Sequence, residues 1–233
     1  MSRVLIVNAD DFGLSRGVNA GVIAAHERGI VTSASLMTRW PAATEAASYV
    51  RAGARLDLGL HVDLGEWVQE DGEWKPLYEV ASLDDGPAVR EEVARQLATF
   101  RALTGAEPTH LDSHQHVHRN EPVRSLLLEL ARRLGVPLRD HGEAVRHCGR
   151  FYGRDERGRP APHGITVGRL LALLRELPEG VTELGCHPGR GRDHGSPYAA
   201  EREREVETLC DPAVRAALAR EGIELASFAD IVP

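Results

Sequence analysis

The sequence predicts an α/β protein in which a mostly parallel sheet is covered by helices. Three observations predict it. Short apolar runs alternate with stretches of helical period along the whole chain. Acids and imidazoles gather where the apolar runs stop, as at Asp10-Asp11, His61, Asp112 and His187. The length, 233 residues, suits one large domain near the size of an α/β barrel. No linker, repeat or low-complexity segment interrupts the pattern, so one domain over 1–233 is expected.

In chain order, Arg3 to Asn8 reads as a short buried strand that runs into Asp10-Asp11-Phe12-Gly13. Ser15 can cap a helix over Gly17 to Arg28, with Val18, Val22 and Ala25 on one face and Gly29 as the stop. Ile30 to Met37 is a second strand, rich in small and β-branched residues, and Pro41 starts a helix that ends near Arg51. Leu56 to Leu64 is a third strand and carries His61. Gly65 to Asp85 is polar, contains Gly, Trp67 and Trp74, and reads as a long functional loop. Pro87 opens a helix to Thr104 that Gly105 closes; Thr109 to Asp112 is a fourth strand.

Pro122 to Leu134 is a Leu-rich helix closed by Gly135, followed by a brief strand over Val136 to Arg139. His141 to His163 has no period and reads as a second loop, a solvated surface or a lid. Thr166 to Leu177 is helical, Val181 to Cys186 is a strand, and a polar loop runs from His187 to Pro197. Tyr198 to Leu209 and Asp211 to Glu221 are closing helices, and Glu224 to Ala226 a last strand.

Composition narrows the classes of function. Apolar residues make up 42% and charged residues 27%, the balance of an ordinary globular domain. A net charge of −7 argues against a nucleic-acid backbone as main partner. No apolar run approaches a membrane span, and Val4-Leu5-Ile6-Val7 is too short for a secretory leader, so a cytoplasmic location is expected. Cys148, Cys186 and Cys210 are widely spaced and form no Cys-x-x-Cys, which speaks against a disulfide framework.

The densest chemistry lies in Thr109-His110-Leu111-Asp112-Ser113-His114-Gln115-His116-Val117-His118, where four of the 11 histidines fall together. If extended, the segment puts its even-numbered imidazoles and Asp112 on one face; if helical after Ser113, His114 and His118 share a face. Imidazole is the commonest metal ligand and moves protons near neutral pH. A hydrolytic site uses about three protein ligands, so only part of this set can serve one ion. Asp10 and Asp11 follow a buried run and need a cation or donors. As strand neighbours they reach one site only if the strand bends at Asp10, which Gly13 permits nearby. Taken alone, His61 reads more readily as a hydrogen-bonded core residue than as a ligand, His187 equally well as either, and Cys186 as a small buried side chain.

Together, Asn8-Ala9-Asp10-Asp11-Phe12-Gly13-Leu14-Ser15, Gly29-Ile30-Val31-Thr32-Ser33, Gly59-Leu60-His61, Pro108 through His118 and Cys186-His187-Pro188-Gly189 resemble the YdjC-like carbohydrate deacetylases, among them the chitooligosaccharide deacetylases. The resemblance implies a distorted TIM-like (β/α) barrel, a homodimer, a small carbohydrate substrate and a divalent metal, usually magnesium. It implies Asp11, His61 and His114 as metal ligands; the conformation of the 109–118 segment leaves His116 and His118 as the alternatives to His114. By likeness to the wider polysaccharide deacetylases, Asp10 would be general base and His187 general acid. Val62-Asp63 stand where chitooligosaccharide deacetylases carry apolar or amide residues.

The residue types themselves fit metal-assisted amide hydrolysis. Two imidazoles beside a carboxylate suit zinc or another transition metal better than magnesium. The competing expectations are another metal-dependent hydrolase on a similar barrel, a phosphoesterase or amidohydrolase, and a carbohydrate-binding protein without turnover.

Overall fold

The computed structural model describes residues 2–70, 72–155, 157–191 and 198–231. The chain runs β1 (Arg3–Phe12), α1 (Arg16–Glu27), β2 (Ser33–Leu36), α2 (Ala43–Arg51) and β3 (Asp57–Val62). A hairpin follows, β4 (Gly65–Glu70) and β5 (Glu73–Glu79), and then α3 (Gly86–Thr104), β6 (Leu111–Ser113) and a 3-10 segment over His114–Arg119. The second half comprises α4 (Val123–Leu134), β7 (Arg146–Cys148), α5 (Val167–Arg175), β8 (Gly180–Cys186), α6 (Ala199–Leu209), α7 (Pro212–Glu221) and β9 (Ile223–Leu225).

The main sheet has the order β6-β3-β2-β1-β8-β7, with β9 also on β1, and every ladder in it is parallel. Helices cover its outer face, as expected of a distorted TIM-like (β/α) barrel. The barrel is incomplete. Residues 136–139, expected as a strand, make only a bridge: Leu111 N–H donates to Pro137 O at 2.9 Å and Arg139 N–H to Leu111 O at 3.0 Å. Among the described residues no bridge joins that segment to β7.

Period two divides the strands between two environments. Leu5, Val7, Ala9, Ala34, Leu36, Leu58, Leu60, Leu111, Leu184 and Cys186 belong to the apolar cluster beneath the helices. The alternate positions Asn8, Asp10, Ser35, His61, Asp112 and Glu183 are just as buried but polar, and all but Glu183 bond to one another across the concave face. The sheet therefore builds its core outward and its chemistry inward.

Helix ends follow the sequence. Ser15, Asp85, Thr166 and Asp211 each accept a first-turn N–H, and Gly105, Gly135 and Gly222 close α3, α4 and α7 in the left-handed region. Helix α1 closes on Arg28, one residue before the expected Gly29. The segment expected as a loop over 65–85 is instead mostly the β4–β5 hairpin, its strands paired antiparallel. The other expected loop, 141–163, holds β7, paired to β8. The loop expected over 187–197 is described only as far as 191, and 192–197 lie outside the described residues. No helix among the described residues is long and apolar enough to cross a membrane.

Candidate active site

A regular strand would point Asp10 and Asp11 to opposite faces. β1 shifts its register against β2 between Ala9 and Phe12, and Asp11 takes φ 65°. The expected bend thus falls on Asp11 rather than Asp10. Both side chains line one cavity of about 630 Å³, a size typical of small-molecule sites.

Asp11 meets two imidazoles there. Its Oδ1 lies 3.2 Å from His61 Nε2 and 3.0 Å from His114 Nδ1. One ligand atom from each of Asp11, His61 and His114 lies within 4.8 Å of the others. His61 is oriented from behind, because β3 and β6 pair with His61 beside Asp112, and His61 Nδ1 lies 2.7 Å from Asp112 Oδ1. A carboxylate holding Nδ1–H leaves Nε2 as the free lone pair, the arrangement that supports metal-bound histidines.

Electrostatics point the same way. Burial alone would lower both imidazole pKa values. Asp112 and Asp11 instead push His61 well above its ordinary value, and Asp11 and Glu66 bring His114 to about 9. The field that favours protons on these rings favours a bound cation equally well. The buried Nε2 of His114 has no hydrogen-bond partner among the described residues. The donor set and the field therefore fit a divalent metal ion.

The four clustered imidazoles do not converge. Strand β6 ends at Ser113, and Gln115 and His116 adopt left-handed φ of 51° and 55°. The chain is neither strand nor α-helix here, so both expected faces dissolve. His110 faces Ser35 at 3.0 Å and stacks on Phe228 at 3.8 Å between centroids. His118 Nδ1 bonds Ser113 Oγ at 2.7 Å, and His116 packs edge-on against His118 and His147. Only His114 reaches Asp11.

Asp10 belongs to a different network. Arg139 donates to both its oxygens at 2.7 Å, and also contacts Asp112 at 2.8 Å and Glu183 at 2.6 Å. Burial would raise the Asp10 pKa, but the Arg139 guanidinium overrides it and holds the carboxyl well below its ordinary value. His187, just past β8, places Nε2 3.7 Å from Asp10 Oδ2. Burial lowers the His187 pKa to about 4, against the pull of Asp10 and Asp11.

Three functional residues escaped the sequence reading. Arg139 is one. Arg202 on α6 donates to Asp11 Oδ2 at 2.5 Å. Glu205, one turn on, accepts the backbone N–H of His187 and the Tyr198 hydroxyl, the latter at 2.7 Å; burial raises it to about 7. Cys186 lies buried behind His187, its thiol pushed up by burial, and has no catalytic geometry.

The family model described as "YdjC-like protein" matches residues 4–220. A carbohydrate deacetylase of Geobacillus stearothermophilus is 34% identical over 249 residues, covering 98% of each chain. A chitooligosaccharide deacetylase of Serratia marcescens is 34% identical over 266 residues, covering 99% of this chain and 100% of that one. The crystal structure of a candidate cellobiose-phosphate cleavage protein from Enterococcus faecalis V583 aligns over 100% of both chains, with TM-score 0.82 and 29% identity. A family 4 carbohydrate esterase from Streptomyces lividans, solved with acetate, has TM-score 0.56 at 13% identity over 97% and 92% of the two chains, a likeness of fold.

Proposed function

The chain belongs to the YdjC-like family, and from that premise we propose that it is a metal-dependent carbohydrate deacetylase, hydrolysing an N-acetyl group from an amino sugar or chitooligosaccharide and releasing acetate. The observation that carries this reading is the meeting of Asp11, His61 and His114 in the cavity that also holds Asp10 and His187. Asp11, His61 and His114 would hold the ion. When bound, it supplies Lewis acidity to the acetyl carbonyl and lowers the pKa of a water.

The remaining work falls to the chain. Asp10 is the proton acceptor in this reading. Arg139 fixes both its oxygens and keeps it ionised across the working pH range, and the same guanidinium makes it a weak base whose service rests on placement. His187 rests neutral. The proton taken from water passes along the Asp10–His187 contact and leaves on the departing sugar amine. Tyr152 and Tyr198 pack on the His187 ring, with centroids at 5.3 and 5.7 Å, and hold it in place. Asp112 and Arg202 are positioning residues, one behind His61 and one on Asp11.

Magnesium is the family's usual ion, whereas the two imidazoles favour zinc. The resemblance adds a homodimer. The test is acetate release from N-acetylated mono- and oligosaccharides by metal-stripped protein, with single divalent ions added back. Release restored by one ion supports the reading; release at full rate without any ion, or from no sugar with any ion, overturns it.

A further inference from the structure

Trp74 is the most exposed large apolar side chain among the described residues, at 60%. It nevertheless lines the cavity that holds Asp10, Asp11 and His187, as do Trp67 and Glu66 on the other strand of the hairpin. Cross-strand pairs explain the grouping. Trp74 stands opposite Gln69, and Trp67 opposite Pro76, with a register shift between Glu66 and Trp67 that brings two successive residues to the cavity side.

An isolated two-stranded hairpin is marginal in water, so one that holds a defined position needs anchors. This one has two. Asp63 accepts from Gly65 N–H at 3.2 Å, Tyr78 hydroxyl at 3.0 Å, Arg39 at 2.8 Å and Trp40 Nε1 at 3.1 Å, tying both strands to the barrel. Gln115 provides the second. Its side-chain amide accepts from Trp67 N–H at 2.9 Å and donates to Trp67 O at 2.8 Å, as a neighbouring strand would. Gln115 follows His114 directly and sits at φ 51°, so the turn that aims His114 at Asp11 also fastens the hairpin. Strain of this kind persists only where the surroundings fix it.

Resting on the deacetylase reading, we infer that the β4–β5 hairpin is a sugar-binding wall, on which the Trp74 indole stacks a second pyranose ring while the first presents its acetamido group to Asp10 and His187. A pyranose offers an apolar face of C–H groups, and an indole offers a large rigid apolar face whose π cloud attracts them. A rigid aromatic loses little conformational entropy when it is covered. Such a wall favours a substrate with a second ring over a single sugar. Gln115 is a positioning residue for this wall.

The experiment measures kcat/KM for acetate release from N-acetylglucosamine and its β-1,4-linked dimer and trimer, in metal-loaded wild type, Trp74→Ala, Trp74→Phe and Gln115→Ala. The wild type should prefer the dimer to the monomer at least tenfold. Trp74→Ala should cut that ratio about tenfold through KM, equivalent to about 1.4 kcal/mol, Trp74→Phe should restore most of it, and Gln115→Ala should lower it in part. A ratio near one in the wild type, or a ratio that survives Trp74→Ala, overturns the inference. So does a variant that keeps the ratio but changes oligomeric state, which would make Trp74 a contact between copies. If no sugar releases acetate, the deacetylase reading fails by itself. The wall is then judged by titrating the dimer against wild type and Trp74→Ala calorimetrically, where equal affinities sink it.

Discussion

Arg139→Lys separates the charge of the guanidinium from its geometry. Arg139 makes five contacts within the barrel: two with Asp10, one with Asp112 and two with Glu183. Lysine keeps the positive charge but presents a single ammonium, which cannot span both Asp10 oxygens and still reach Glu183. At least two charge-assisted bonds are lost, each contributing about 1.5–3 kcal/mol, so stability should fall by about 3–5 kcal/mol, the usual cost of breaking a buried ion pair. Asp10 is also released from its fixed orientation. A general base contributes about 10² to 10⁴ in rate, and a misaimed one should lose much of it, so kcat should drop about 10²-fold. The sign of the pH effect follows from burial. Without the clamp the Asp10 pKa rises, so activity should fade as pH decreases through a range where the wild type is flat. Urea denaturation, acetate release against pH and bound-metal content together test this. Metal content should hold, because Arg139 touches none of Asp11, His61 and His114. Stability within about 0.5 kcal/mol of wild type, the ordinary scatter of surface changes, with kcat within twofold, would refute the reasoning.

Asp11→Asn should weaken metal binding, with activity partly rescued by excess ion, whereas Asp10→Asn should retain the ion and lose kcat with no rescue; metal analysis beside kinetics decides, and the reverse pattern would exchange the two roles. Among single alanine substitutions in the histidine cluster, His114→Ala should lose the most metal, while His118→Ala should keep it and lose stability, since its ring is buried and bonded to Ser113; elemental analysis of purified variants checks this. Chelation should abolish acetate release and lower the melting temperature, because an ion bound only by the native state stabilises it; a melting curve unmoved by chelator speaks against Asp11, His61 and His114 as a metal site. Glu205 has its pKa raised from 4.5 to about 7 by burial, so the native state binds more protons than the unfolded state between those values, and stability falls as pH rises through that window. The loss approaches about 3 kcal/mol; Glu205→Gln, with nothing to titrate there, should flatten this slope in denaturant melts between pH 4.5 and 7.5, and parallel slopes would count against it.

The architecture was legible because strand and helix periods and cap residues are local signals. Ser15, Gly105, Gly135 and Asp211 mark helix ends in the sequence and in the structure alike. The β4–β5 hairpin was not legible, since β5 is almost wholly exposed and lacks an apolar alternation, and the hairpin's order comes from Asp63 and Gln115 elsewhere in the chain. The histidine cluster misled in a specific way. Period two and period 3.6 are the only regular alternatives a pattern can offer, and two left-handed residues, Gln115 and His116, obey neither.

Arg139 obeys the same strand-end logic as the acids and imidazoles. Asp11, His61 and His187 were gathered because each lies where an apolar run stops, and Arg139 ends such a run as well, after Val136-Pro137-Leu138. An arginine in such a place ordinarily reads as solvated. A barrel whose concave face carries Asp10, Asp112 and Glu183 cannot leave three carboxylates buried without a cation. Only a guanidinium has enough donors, suitably spread, to serve all three at once. Arg202 answers the same need at Asp11, from a helix whose buried side also carries Glu205. Counting acids that point inward along the strands, and asking which cation balances them, leads to both arginines: one fixes Asp10 away from the proposed metal ligands, and the other lies on Asp11 among them.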